Sequence, residues 1–129
     1  MIATAFNAPG FPRSEGYSSA VEIRESRRTV FTTGQVGMRP DGSIPVDPRA
    51  QIQLALDNFR SLIEAMGLST DNVVKYTFYL RDIAHYELLQ SIFGPVMTSS
   101  RVPAAATMVV VKEFGLPELI LEFDVVLAD

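Results

Sequence analysis

The last thirty residues constrain this chain more than any other stretch, because two apolar runs there are joined by a turn. The first extends from Ser100 to Lys112 and the second from Glu118 to Ala128. Successive side chains of an extended strand point to opposite faces, so the second run sorts by period two. Leu119, Leu121, Phe123, Val125 and Leu127 share one face, and Ile120, Glu122, Asp124, Val126 and Ala128 the other. Two carboxylates therefore interrupt an apolar strand, and leaving them unpaired in a dry core is expensive. Their face is either partly open to water or to another subunit, or it is a site.

The whole chain, 1–129, reads as a single domain with one core. Its formal net charge is −4 and its basic residues are scattered, so a nucleic-acid partner is not expected. No apolar run approaches the roughly 20 residues that span a bilayer. The N-terminus lacks the charged and apolar regions of a signal peptide. No membrane partner is expected, and the expected location is cytoplasmic. With no cysteine there is no disulfide, thiol nucleophile or thiolate ligand. A single histidine besides gives no basis for a structural zinc site, and no cofactor or metal is expected.

Pro9, Gly10, Pro12 and Gly16 make the first sixteen residues irregular, with room for a short strand near Ala3–Phe6. Residues 18–24 alternate as a half-buried strand, 25–28 form a polar turn, and the β-branched run 29–35 is expected to complete a hairpin. Gly34 inside that run points to a bulge or a close backbone approach. After a loop over 37–48, Asp47-Pro48 marks a helix start. Ile52, Ala55, Leu56, Phe59, Leu62, Ile63 and Met66 form its apolar stripe, and Gly67 its stop. In the next strand, 72–81, Val74, Tyr76, Phe78 and Leu80 face one way and Lys75, Thr77, Tyr79 and Arg81 the other. Asp82 is expected to cap a second helix with the stripe Ile83, Tyr86, Leu89, Ile92, Phe93 and Val96. The two C-terminal runs are expected to pair as a hairpin across Lys112–Pro117. Together these elements predict a two-layer α+β domain, with a mostly antiparallel sheet and two helices on one face. The other face would carry Lys75, Thr77, Tyr79, Arg81, Glu122 and Asp124, and subunit assembly is a natural cover for it.

These residues resemble the YjgF/RidA family of reactive-intermediate (imine/enamine) deaminases, also known as L-PSP endoribonucleases. The resemblance covers nearly the whole chain and rests on motifs in order. They are Gly16-Tyr17-Ser18, Thr33-Gly34-Gln35, Val73-Val74-Lys75-Tyr76-Thr77, Leu80-Arg81-Asp82, Val102-Pro103-Ala104, and Leu116-Pro117 followed by Glu122 and Asp124. It implies a chorismate-mutase-like subunit and a homotrimer, with the sheets inside and a small-molecule ligand in each cleft between subunits. It maps the pocket to Tyr17, Gly34, Gln90, Ala105, Thr107 and Glu122, with Glu122 as the carboxylate that handles the attacking water. At Ala105 this chain departs from the family, whose typical deaminases carry an arginine there to grip the substrate carboxylate. A methyl group cannot replace a charged, five-donor fork.

Each of these positions has a plainer explanation. Glu122 is either the general acid or base or a strand carboxylate paired with Lys75 or Arg81. Tyr17 either donates to a ligand or covers a subunit seam. Thr107 either meets the ligand or is an ordinary strand residue. Asp124 is taken as structural, and His85, with no partner ligand in sequence, as solvated surface. Arg101 is the nearest replacement cation in sequence, though its place in a loop argues against that role. Two functions follow from the resemblance. One is an imine/enamine deaminase-type hydrolase, not a general 2-iminopropanoate deaminase, with specificity altered from the 2-aminoacrylate deaminases. The other is a trimeric small-molecule binder without chemistry. An acidic chain without a basic groove speaks against ribonuclease action.

Overall fold

The alternating stretches 72–81 and 118–128 become neighbours at the centre of a four-stranded sheet. The computed structural model describes all residues, 1–129. Its elements are β1 (Ile2–Phe6), β2 (Ala20–Arg24), β3 (Thr29–Phe31), α1 (Pro48–Ala65), β4 (Val73–Leu80), α2 (Tyr86–Ser99), β5 (Ala105–Val110) and β6 (Leu121–Ala128). The main sheet has the order β3-β6-β4-β5, and β1 and β2 form a separate antiparallel pair. Strand β6 runs antiparallel to both β3 and β4, while β4 and β5 run parallel. Both helices pack on one face, as the single apolar stripe of each requires. The expected α+β architecture is therefore the observed one.

Local signals set the helices. The Asp47 carboxylate accepts from the Ala50 N–H at 2.9 Å, with Pro48 at the first helical turn. Gly67 closes α1 at φ +73°, where its N–H donates to the Glu64 carbonyl at 2.9 Å. The stripe is corrected toward both ends of α1, where Leu62 is exposed and Gln51 is buried. Gln51 is tolerated there because its amide is fully used. Its Nε2 donates to the Pro45 and Glu118 carbonyls at 3.0 Å each, and its Oε1 accepts from the Ile120 N–H at 2.8 Å. Asp82 caps a 3₁₀ turn, Ile83–His85, rather than α2 itself, so Ile83 stays exposed.

Two expected hairpins are absent. β2 pairs with β1, and β3 with β6, where Val30 lies opposite Leu127. Joining the main sheet lets Val30 pack against the core, a gain that a local turn to β2 does not offer. β5 does not turn back on β6. Instead α2 carries the chain across from β4 to a parallel β5, a βαβ crossover. The segment after β5 passes over the end of β4, with the Val111 N–H on the Leu80 carbonyl and the Arg81 N–H on the Ile120 carbonyl. This delivers β6 to the far side of β4. A register shift between Val73 and Lys75 also puts Val73, not Val74, on the core face.

Beneath the helices the core centres on four rings. Phe93 and Phe123 meet edge to face at 5.0 Å, as do Phe78 and Phe93 at 5.1 Å and Phe59 and Phe123 at 5.4 Å. These contacts fix β4 and β6 from one side and leave their other side chains pointing outward.

Candidate functional site

On the outward face the strand register places Lys75 beside Val126, Thr77 beside Asp124, and Tyr79 beside Glu122. All six are half-buried. Glu122 makes no ion pair, since the two in the chain are Arg24–Glu22 and Arg28–Asp129. The two cations expected as its partners go elsewhere. Lys75 Nζ donates to Thr107 Oγ1 at 2.7 Å, and the Arg81 guanidinium donates to the Pro117 carbonyl. The negative charge of Asp124, then desolvation and more weakly Glu122, raise the Tyr79 phenol above its ordinary value. Tyr79 therefore remains a proton-bearing donor beside two carboxylates.

Gly34 holds the most crowded position on this face. The chain leaves β3 and runs along β6, with the Thr32 N–H on the Val125 carbonyl at 3.0 Å and the Gln35 N–H on the Phe123 carbonyl at 2.6 Å. Thr32 Oγ1 accepts from the Val125 N–H. This seats Gly34 against the Glu122 side chain, where an added Cβ would stand 2.6 Å from Cδ and 2.7 Å from Oε2. The close approach expected of this glycine is to the very carboxylate singled out by the sequence. Glycine is required for Glu122 to keep its place.

A second feature lies around the edge of the sheet. A cavity of about 610 Å³ opens between α2, β5 and the segment Ser14–Tyr17. Tyr17, Gln90 and Thr107 supply polar groups to walls made by Phe78, Phe93 and Met108. A mostly apolar hollow with few polar groups has the character of a small-molecule site. Ser18 holds Tyr17 there, its hydroxyl donating to the Pro103 carbonyl at 2.6 Å and its N–H to the Ala104 carbonyl at 3.0 Å. Gln90 is steadied by donating to the Tyr86 hydroxyl at 2.8 Å.

The six residues thus fall into three places. Tyr17, Gln90 and Thr107 share the cavity, Gly34 and Glu122 touch, and Ala105 lies opposite Lys75 on the β4–β5 ladder. Strand β4 separates Thr107 from Glu122, and two strand spacings amount to roughly 10 Å. One chain does not bring the two clusters to one small ligand. Arg101 lies apart from both. It lines a different hollow with Met1 and Ile2, and its backbone N–H donates to Asp71 Oδ1. His85 is half-buried rather than solvated, its Nδ1 shielded and without a partner. No three His, Cys, Asp or Glu side chains are grouped to hold a metal ion. No helix is long and apolar enough to cross a membrane.

From the sequence Lys75 was singled out only as a possible partner of Glu122, and Tyr79 was not singled out. Tyr79 was legible only as a residue of the outward face. The tie of Lys75 to Thr107 depends on β4 and β5 being neighbours, which the expected C-terminal hairpin concealed.

Comparisons with known proteins agree with this fold. Residues 9–128 match the family model described as Endoribonuclease L-PSP. A RutC family protein of Aquifex aeolicus (strain VF5) is 32% identical over 101 residues, 78% of either chain. The 2-iminobutanoate/2-iminopropanoate deaminase of Escherichia coli (strain K12) is 30% identical over 70 residues, 54% of this chain and 55% of that one. Among solved structures, YyfB from Yersinia pestis, a protein of unknown function of the conserved Rid protein family, superposes with a TM-score of 0.86. That match covers 100% of both chains at 27% identity.

Proposed function

The chain belongs to the endoribonuclease L-PSP family, the YjgF/RidA proteins, and from that premise we propose an imine/enamine hydrolase of deaminase type with its site between subunits. The observation that carries this reading is the Glu122 carboxylate. It is half-buried, free of any cation and seated against a glycine with no room for a side chain. A carboxylate so placed suits a general base for water. In the reaction, water adds to the carbon of a C=N bond while Glu122 takes its proton. That proton passes to nitrogen to give a carbinolamine. Transfer of the carbinolamine hydroxyl proton to nitrogen as the C–N bond breaks then gives a carbonyl product and ammonia. An enamine enters the same sequence after tautomerising to the imine. The named activity of the Escherichia coli relative is of this kind.

Subunit assembly accounts for the separation of the two clusters. A homotrimer that turns the outward sheet faces inward would set one subunit's Glu122 beside a neighbour's β5 edge, with Tyr17, Gln90 and Thr107 completing the cleft. The exposed apolar residues Phe31, Val109 and Val110 favour such a cover, since Phe31 alone is 76% exposed. The net charge of −4 gives no support to a nucleolytic role.

Ala105 sets the specificity. Losing a bidentate charged contact at a desolvated site costs on the order of 2–5 kcal/mol. That corresponds to roughly 30- to 4,000-fold in rate. The substrate is accordingly one that lacks the usual α-carboxylate or presents it differently. The test generates amino-acid imines with an oxidase and follows their hydrolysis. Wild type should be slow and Ala105→Arg faster; wild-type turnover equal to that of the Escherichia coli deaminase would contradict the assignment. No turnover of any imine by either protein would favour a trimeric binder without chemistry.

A further inference from the structure

Lys75 is a half-buried residue whose ammonium has no carboxylate to neutralise it. Its neighbours across the ladders are the small apolar side chains Ala105 and Val126. Its one side-chain partner is the Thr107 hydroxyl at 2.7 Å, and Thr107 also lines the cavity at the β5 edge. The acidic residues of the same face, Asp124 and Glu122, lie opposite Thr77 and Tyr79, farther along β4. From Lys75, Thr77 is two residues and Tyr79 four residues along the strand, roughly 7 Å and 13 Å. The face is therefore divided into a cationic end at the cavity and an acidic end at Gly34. A hydroxyl that accepts from an ammonium keeps its own proton free to donate. The Lys75–Thr107 pair thus offers an N⁺–H and an O–H to one incoming oxygen anion.

We infer that Lys75, with Thr107, is the anion-binding element of this protein and selects ligands that carry a carboxylate. The inference rests on the cleft reading above but not on turnover. The grip is a point charge with one hydroxyl, without the planar fork of a guanidinium, so it holds a carboxylate without fixing its plane. A ligand gripped this way binds by its charge while its reacting carbon is poorly oriented. That is consistent with slow turnover of α-carboxylate imines.

The test is a binding titration of the full-length protein, followed by NMR, with 2-oxobutanoate and its neutral isostere 2-oxobutanamide. Wild type should prefer the anion on the order of tenfold to a hundredfold, the range of a charge-assisted hydrogen bond. Lys75→Met should lose that preference while binding the amide unchanged, and Lys75→Arg should restore part of it. Thr107→Val should reduce the preference less than Lys75→Met. Equal binding of the two probes by wild type would overturn the inference. So would an undiminished anion preference in Lys75→Met, or a parallel loss of both probes showing a merely structural role. Binding as described with no imine turnover would leave the inference standing and remove the hydrolase assignment instead.

Discussion

The two faces of the main sheet are built from the same strands and obey opposite rules. Toward the helices β6 presents Leu121, Phe123, Val125 and Leu127, all nearly or fully buried, and β4 presents Tyr76, Phe78 and Leu80. Away from them the alternate residues are Glu122, Asp124, Lys75, Thr77 and Tyr79, each half-buried. The helix side has its partners within the chain, where Phe59 and Phe93 meet Phe123 edge to face. The outward side has a cation and a carboxylate with no ionic partner in the chain. Period-two alternation thus divides the packed core residue by residue from the face that carries the proposed chemistry. Substitutions at adjacent positions of one strand should therefore fail in different ways.

The widest contrast is expected between Glu122 and Phe123. Glu122→Gln should lower turnover about 10²- to 10⁴-fold, the range for loss of a general base. Its unfolding free energy should change by no more than about 0.5 kcal/mol, as for other non-core substitutions. A large stability loss in that variant would move Glu122 to the structural side of the division. Phe123→Ala should do the reverse in denaturant titration, losing about 3–5 kcal/mol because a packed ring leaves a cavity. A loss below about 1 kcal/mol would mean that the aromatic cluster does not hold the two central strands. Gly34→Ala sharpens the boundary between the faces. The added methyl would displace the Glu122 carboxylate, and turnover should fall roughly tenfold to a hundredfold, as for a reacting group moved by about an ångström. Unchanged kinetics would show that the carboxylate position is not critical.

Except at Val73 and Val74, where a register shift breaks the period, the face a residue belongs to was largely legible in the sequence, because it depends on local period. Helix boundaries were legible for the same reason, with Asp47, Pro48 and Gly67 supplying local capping signals. Strand neighbours were not. A polar turn at 25–28 and another at 112–117 suggested hairpins, but pairing is decided by which edge buries an apolar face. Val30 and Met108 find that burial beside β6 and β4. The candidate site shows the same division. Gly34 was visible as a glycine out of place in a β-branched run, while its contact with Glu122, far along the chain, required the fold. Gln51, absent from the expected apolar stripe, is a buried tie between α1 and the segment leading into β6. The βαβ crossover hid most, since it alone makes Lys75 a neighbour of Ala105 and Thr107.

The division of the sheet has one direct physical consequence. If the outward face works between subunits, it cannot remain open in solution. Sedimentation equilibrium at micromolar concentration measures this without knowledge of the substrate. The expected result is a single species of three times the 14.2 kDa chain mass. A stable monomer would leave Glu122 and the β5 cavity separated by strand β4, with no partner chain to bring them together, and would contradict the inter-subunit site.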